Sequence, residues 1–219
     1  MAFAATTNPI VASIGGGRDT EAADLGFYFS ALSVPGTGIV GPATVTAFTE
    51  TTPLFVVFNP GPANVYPVHL QLLLSTAGTG SSAATFFTNT LDAGNRVTSG
   101  GTALTKVNLS GAATAVGNAI VTLGAITASA ATGGRRIVSH SQIRSATTGV
   151  IHDTVSVNWG GSEQSLVSTL INNTTTHSDT VVNCAPICIA PGFSMVLVEW
   201  GASAANAKSY EANFSYIEK

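Results

Sequence analysis

Residues 150–159 read VIHDTVSVNW. Ile151, Val155, Val157 and Trp159 alternate with His152, Thr154, Ser156 and Asn158, the period of two that marks a half-buried β-strand. Gly160-Gly161 then closes the segment with residues that favour turns. This one stretch sets the reading of the chain, because the same alternation recurs on both sides of it.

Downstream, residues 180–189 and 193–200 read as strands separated by Ala190-Pro191-Gly192, where Pro191 and Gly192 suit the central positions of a type II turn. Residues 210–217 close the chain, with Tyr210, Phe214 and Tyr216 on one face. Upstream, strands are expected at 26–32, 43–49, 54–58, 65–74, 104–109, 118–123 and 136–144, with a weaker segment at 83–88. In 65–74, Val68, Leu70 and Leu72 share a face opposite His69 and Gln71, and Pro67 implies an edge position or a bulge. Residues 89–107 are rich in turn formers, and Gly100-Gly101 permits a sharp reversal there. Residues 112–131 mix alanine with β-branched residues and stay open outside the expected strand.

Nine to eleven strands with no convincing helix imply two packed sheets. The expected fold is therefore all-β, an antiparallel, jelly-roll-like β-sandwich. It forms a single domain over residues 18–219, preceded by an arm over residues 1–17. In the arm, Gly15-Gly16-Gly17 act as a hinge, and Ile10, Val11 and Ile14 supply apolar surface to bury on a neighbouring subunit.

Charge is scarce. Asp, Glu, Lys and Arg make up 9% of the 219 residues, against about 25% in an ordinary soluble domain. Residues 51–91 contain none of them, only His69. A surface of Ala, Thr, Ser, Gly and Asn has little electrostatic repulsion to keep it apart from other proteins. Net charge is −3 and the basic residues are scattered, which disfavours direct nucleic-acid binding. No apolar run approaches the ~20 residues of a membrane helix, and residues 1–9 lack the basic and apolar parts of a secretory signal. An outer-membrane barrel is disfavoured by uneven strand lengths, 7% aromatics and no aromatic bands.

The residues that carry chemistry form no constellation. His69 lies far upstream of His140, His152 and His177, and adjacent strand positions put His152 and Asp153 on opposite faces. No nucleophile-elbow pattern occurs, and Gly15-Gly16-Gly17-Arg18-Asp19 lacks the lysine and hydroxyl ending of a phosphate loop. The carboxylates Asp92, Asp153, Glu163, Asp179 and Glu199 show no pairing suited to glycoside hydrolysis. Cys184 and Cys188 read as free thiols; a disulfide stays open if the intervening Pro186 turn brings them together. Two thiols alone cannot complete a four-ligand metal site. The expectation is a non-enzyme without cofactor or metal.

Residues 91–108, LDAGNRVTSGGTALTKVN, resemble a segment found in small structural proteins of tailed phages. The turn at residues 189–193 leading to Trp200, and the final strand ending in Ile217-Glu218, resemble the closing part of the same proteins. That resemblance implies a β-sandwich subunit, a homo-oligomer and often a trimer, attached to the major capsid protein as a decoration or cement protein. It would be made in the host cytoplasm and reside on the capsid surface. A tail- or fibre-associated receptor or carbohydrate-binding module is the alternative within the same resemblance. Arg96 is expected to clamp a loop carbonyl or a carboxylate across a subunit boundary. Contacts between subunits are expected first around the uncharged 51–91 stretch and the segment that follows it.

Overall fold

The computed structural model describes residues 18–78, 85–111, 116–131, 135–144, 151–160, 168–171, 178–201 and 206–219. The arm, with Ile10, Val11 and Ile14, lies outside them. A short helix α1 (Arg18–Asp24) precedes strands β1 (Tyr28–Leu32), β2 (Ile39–Val40), β3 (Phe55–Asn59), β4 (Val65–Thr76) and β5 (Thr85–Ala93). Next come β6 (Val97–Ala103), β7 (Thr105–Asn108), β8 (Ile120–Ala128), β9 (Arg136–Arg144) and β10 (Thr154–Trp159). The last are β11 (Ser168–Ile171), β12 (Ser178–Cys184), β13 (Phe193–Gly201) and β14 (Ser209–Glu218).

Two sheets pack face to face. One runs β11-β12-β10-β4-β14-β1-β7, with β2 against the start of β14; the other runs β6-β8-β3-β13-β5-β9. Take β1, β3, β4, β5, β9, β10, β13 and β14 as eight successive strands. The first, eighth, third and sixth then form one sheet, and the second, seventh, fourth and fifth the other. Those are two interleaved Greek keys, the order of a jelly roll. The remaining strands widen its edges. The expectation of antiparallel pairing holds except at β10 and β12, which run parallel.

The alternation that opened the sequence reading is realised in β10, where Val155, Val157 and Trp159 are buried and Ser156 and Asn158 point outward. The strand starts only at Thr154. His152 sits before it with φ of 75° and Asp153 is buried, so the two do not occupy opposite faces of a strand. Trp159, Phe214 and Phe55 meet edge to face between the sheets, and Tyr216 stacks on Phe214 and Phe29. Pro67 stands in an inner strand at a bulge opposite Tyr216. β10 pairs only with residues 69–73 of β4, so no neighbour on that side is deprived of a donor.

Three sequence expectations are corrected. Residues 18–24 are helical and end in a Schellman motif: Gly26 has φ of 76°, and the N–H groups of Phe27 and Gly26 donate to the carbonyls of Ala22 and Ala23. Gly100 and Gly101, with φ of 74° and 71°, make no reversal; they sit in a bulged stretch of β6 against β8. A Cβ at Gly100 would collide with the Ala125 carbonyl. Residues 43–49 are not a paired strand but part of a strap, bridged to the sheet between Val45 and Trp200.

That strap, residues 41–53, explains the strongest apolar block. Phe55 and Val57 face the main core, while Val56 belongs to a second cluster with Ile126, Val196 and Val198 on the sheet's other side. Phe48 from the strap covers that cluster. A strand covered on both faces reads as a continuous apolar run. The strap is fastened by charge. Arg96, 1% exposed, pairs with Asp92, donates through Nε to the Ser129 carbonyl at 2.9 Å, and lies 3.6 Å from Glu50 of the strap. Glu50 also pairs with Arg135, whose guanidinium lies 5.8 Å from the Phe48 ring centre.

Replacing Arg96 with methionine leaves Asp92 and Glu50 buried without their shared counter-charge. Urea denaturation is expected to show a loss of about 3–5 kcal/mol, or failure to fold. A loss below ~1 kcal/mol would mean that the strap is held by its apolar contacts alone.

Candidate functional site

The outer face of the eight-stranded sheet sets polar and small side chains in register across six strands. Strand register aligns Val107, Ser30, Ser215, His69, Asn158 and Asn183 in one row across β7, β1, β14, β4, β10 and β12. A second row runs Thr105, Leu32, Asn213, Gln71, Ser156 and Val181. Neither row contains an ionised side chain of Asp, Glu, Lys or Arg. Glu211 and Asp179 stand at the margin, level with Leu73 and Thr154.

The face is tied together by short polar links. Ser30 Oγ donates to Asn213 Oδ1 at 2.9 Å. His69 Nδ1–H donates to Asn158 Oδ1 at 2.6 Å, and Asn158 Nδ2 donates to Asn183 Oδ1 at 3.1 Å. Such links leave few free rotamers to immobilise on contact. With five spacings of ~4.8 Å, the six aligned strands span about 24 Å.

Scarce charge is made scarcer by burial. Among the described residues, five acidic side chains, Glu50, Asp92, Asp153, Glu199 and Glu218, are buried. Glu199 faces the space between the sheets, where Lys208 pairs with it and Tyr210 donates to it at 2.8 Å. Glu218 accepts the backbone N–H of Asn118 at 2.8 Å, and Lys106 Nζ donates to the Ala119 carbonyl at 2.9 Å beside it. Burial lowers the Lys106 pKa, with Glu218 opposing the shift. Burial raises the Tyr216 pKa and the Glu218 charge adds to the rise. These groups clamp the last strand to residues 117–119; they do not converge on an open cleft.

Arg96 does clamp a carbonyl and a carboxylate, but both belong to its own chain, and its burial leaves nothing to offer across a boundary. Pro191 and Gly192 form the expected turn: Gly192 has φ of 80° and the Phe193 N–H donates to the Ala190 carbonyl at 3.0 Å. The turn is also anchored, because the Gly192 N–H donates to Asn59 and its carbonyl accepts from Gly94. Gly100 and Gly101 are exposed on edge strand β6.

The histidines do not come together. His69 lies on one outer face and His140 on the other, His152 is in the turn, and His177 is outside the described residues. No group of three or more metal-binding side chains occurs among the described residues. Cys184 is buried and Cys188 exposed, and both thiols are free. Burial pushes the Cys184 pKa up, partly offset by a hydrogen bond with Ser139.

Two further features escaped the sequence reading. On the outer face of the six-stranded sheet, Phe86, Trp200 and His140 lie near-parallel, with ring centres 4.6–5.6 Å apart. Thr88 Oγ1 accepts from Trp200 Nε1 and shares a hydrogen bond with His140 Nδ1, both at 2.8 Å, which fixes the tile. The second is a two-part trough. About 330 Å³ lies beside α1 at Leu25 and Phe27, about 420 Å³ lies beside Trp159, Ile187 and Cys188, and Tyr66 and Ile217 line both parts. Cross-strand neighbours Phe86 on β5 and Trp200 on β13 have seven strands between them in sequence, so only register joins them.

Comparison with protein-family models, curated proteins and solved structures finds no match to this chain. The electrostatics still make a test. Tyr216 has a raised folded-state pKa, so its contribution is intact below the unfolded value of 10.0 and is lost as pH rises above it. Its hydroxyl has no hydrogen-bond partner among the described residues. Tyr216→Phe is therefore expected to cost little at pH 7 and to flatten the alkaline decline in stability, as followed by thermal melts between pH 7 and 11. An unchanged alkaline limb would refute that assignment.

Proposed function

We propose that this chain is a non-enzymatic structural subunit that assembles with copies of itself and covers a larger protein shell, as a bacteriophage capsid decoration or cement protein does. The uncharged outer face of the eight-stranded sheet carries the proposal. Interface cores are depleted in charged residues, and here two aligned rows of hydroxyl, amide, imidazole and apolar groups span six strands without one ionised Asp, Glu, Lys or Arg. The residue types supply hydrogen bonds at low desolvation cost, and the sheet beneath holds them in register. The resemblance of residues 91–108 to tailed-phage structural proteins supplies the shell and the trimer.

The mechanism is mechanical. Subunits bridging joints between shell proteins add buried area, at about 25 cal/mol per Å² before association costs are subtracted. The ion pairs inside the subunit keep its faces rigid without placing charge on them.

A second reading rests on the Phe86–Trp200–His140 tile. Half-buried rings of this kind, with His140 exposed beside them, offer apolar surface to the C–H groups of a pyranose, and Arg135 with Glu50 lies beside Phe48 at the border. That reading is a carbohydrate-binding module on the virion.

Two experiments separate them. Gln71→Glu with Thr105→Glu places charges at exposed positions on the sheet face. Thermal stability should change by no more than about 0.5 kcal/mol, while sedimentation shows dissociation at concentrations where the unaltered chain is oligomeric. An unaltered chain that is monomeric at every concentration and does not bind purified shells would sink the structural proposal. For the second reading, glycan titration should quench Trp200 fluorescence saturably in the parent and not in Trp200→Phe; no saturable quenching with any oligosaccharide tried would discard it.

A further inference from the structure

The trough at one end of the eight-stranded sheet has a natural occupant in the chain's own first residues. Its near part is walled by α1 and the residues just after it: Ala22, Leu25 and Phe27 face Tyr66 and Ile217. Leu25 and Phe27 are 57% and 39% exposed, unusual for large apolar side chains set beside an existing groove. Tyr66 and Ile217 continue directly into the far part, where Ile187 and Cys188 form the opposite wall. The result is one path with two compartments, apolar along Leu25, Phe27, Ile217 and Ile187, with Glu21 and Lys219 also lining the near part.

Residues 1–17 carry no ionisable side chain, and their aliphatic branched residues fall at two points, Ile10-Val11 and Ile14. In an extended chain those points are about 10–13 Å apart, a spacing suited to two neighbouring compartments. The arm's root, Gly17, adjoins the helix that walls the trough.

We propose that the arm of one copy docks in the trough of a second copy, with Ile10-Val11 and Ile14 seated on either side of the Tyr66–Ile217 junction. This rests on the homo-oligomer reading above. Reach favours the neighbour: seventeen extended residues span up to about 56–60 Å, whereas a domain of ~200 residues has a radius of gyration near 17 Å. Gly15-Gly16-Gly17 give the arm the backbone freedom to cross to a neighbour.

Cys188 is a built-in probe, because it is exposed in the far compartment while Cys184 is buried. A chain carrying Val11→Cys and Cys188→Ser is mixed with the parent chain and oxidised with copper phenanthroline. The expected result is a disulfide-linked pair of the two chains on a non-reducing gel, lost when the parent also carries Cys188→Ser or when Phe27→Glu blocks the near compartment. In the single-variant Val11→Cys chain, closure within one chain and no linked pair would overturn the proposal. So would linking no greater than that of a cysteine placed at Ala2. Sedimentation of the parent chain keeps the two ideas apart: an oligomer without cross-linking refutes only the arm, while a monomer refutes the assembly on which it depends.

Discussion

The guanidinium of Arg96 is the contact on which the second side of this sandwich depends. The main core between the sheets follows from alternation and needs no charge. The outer cluster of Val56, Ile126, Val196 and Val198 is different, because a sheet face cannot remain apolar and open to water. A strap must cover it, and a strap with little regular hydrogen bonding needs a fixed anchor. Arg96 supplies that anchor by meeting Asp92 on the sheet, the Ser129 carbonyl just after β8 and Glu50 on the strap. A buried cation with planar donors can serve three acceptors at once, which a lysine cannot do with the same geometry.

This has a consequence for the surface. Most proteins place their charges outside, where they aid solubility. Here several are turned inward to pin strap, sheet and terminus, as with Glu199 against Lys208 and Glu218 against residues 117–119. The outer sheet face is left with amides and hydroxyls in register. Scarcity in the composition thus becomes near-absence on one face, and the assembly proposal grows from that difference.

Particular elements show how far the sequence could be read. β9 and β13 were legible because each has β-branched and apolar residues bounded by clear turn residues. The 43–49 segment misled because its Thr and Val content suits a strand equally well as a strap; what it lacked was a partner, and partners are not written locally. β6 was missed for the converse reason. Its Gly100-Gly101 pair argues against a strand, yet β8 supplies a ladder and the glycines become a bulge. The expected search area for contacts, residues 51–91, divides in two. Phe55–Asn59 is uncharged because it is buried on both sides, whereas His69 and Gln71 are uncharged and face outward.

The sequence by itself determined the fold class, the inward face of each clear strand, the type II turn at Pro191-Gly192 and the lack of a local catalytic motif. Each is a short-range matter of side-chain period or turn chemistry. Only the tertiary structure decided which strands are neighbours, and so which residues far apart in the chain share a surface. Phe86 and Trp200 are brought together by strand order, Arg96 and Glu50 by the strap, and Leu25 with Tyr66 and Ile217 by the packing of α1. The physical reason is that a strand's period fixes which way a side chain points, while non-local pairing fixes what it meets.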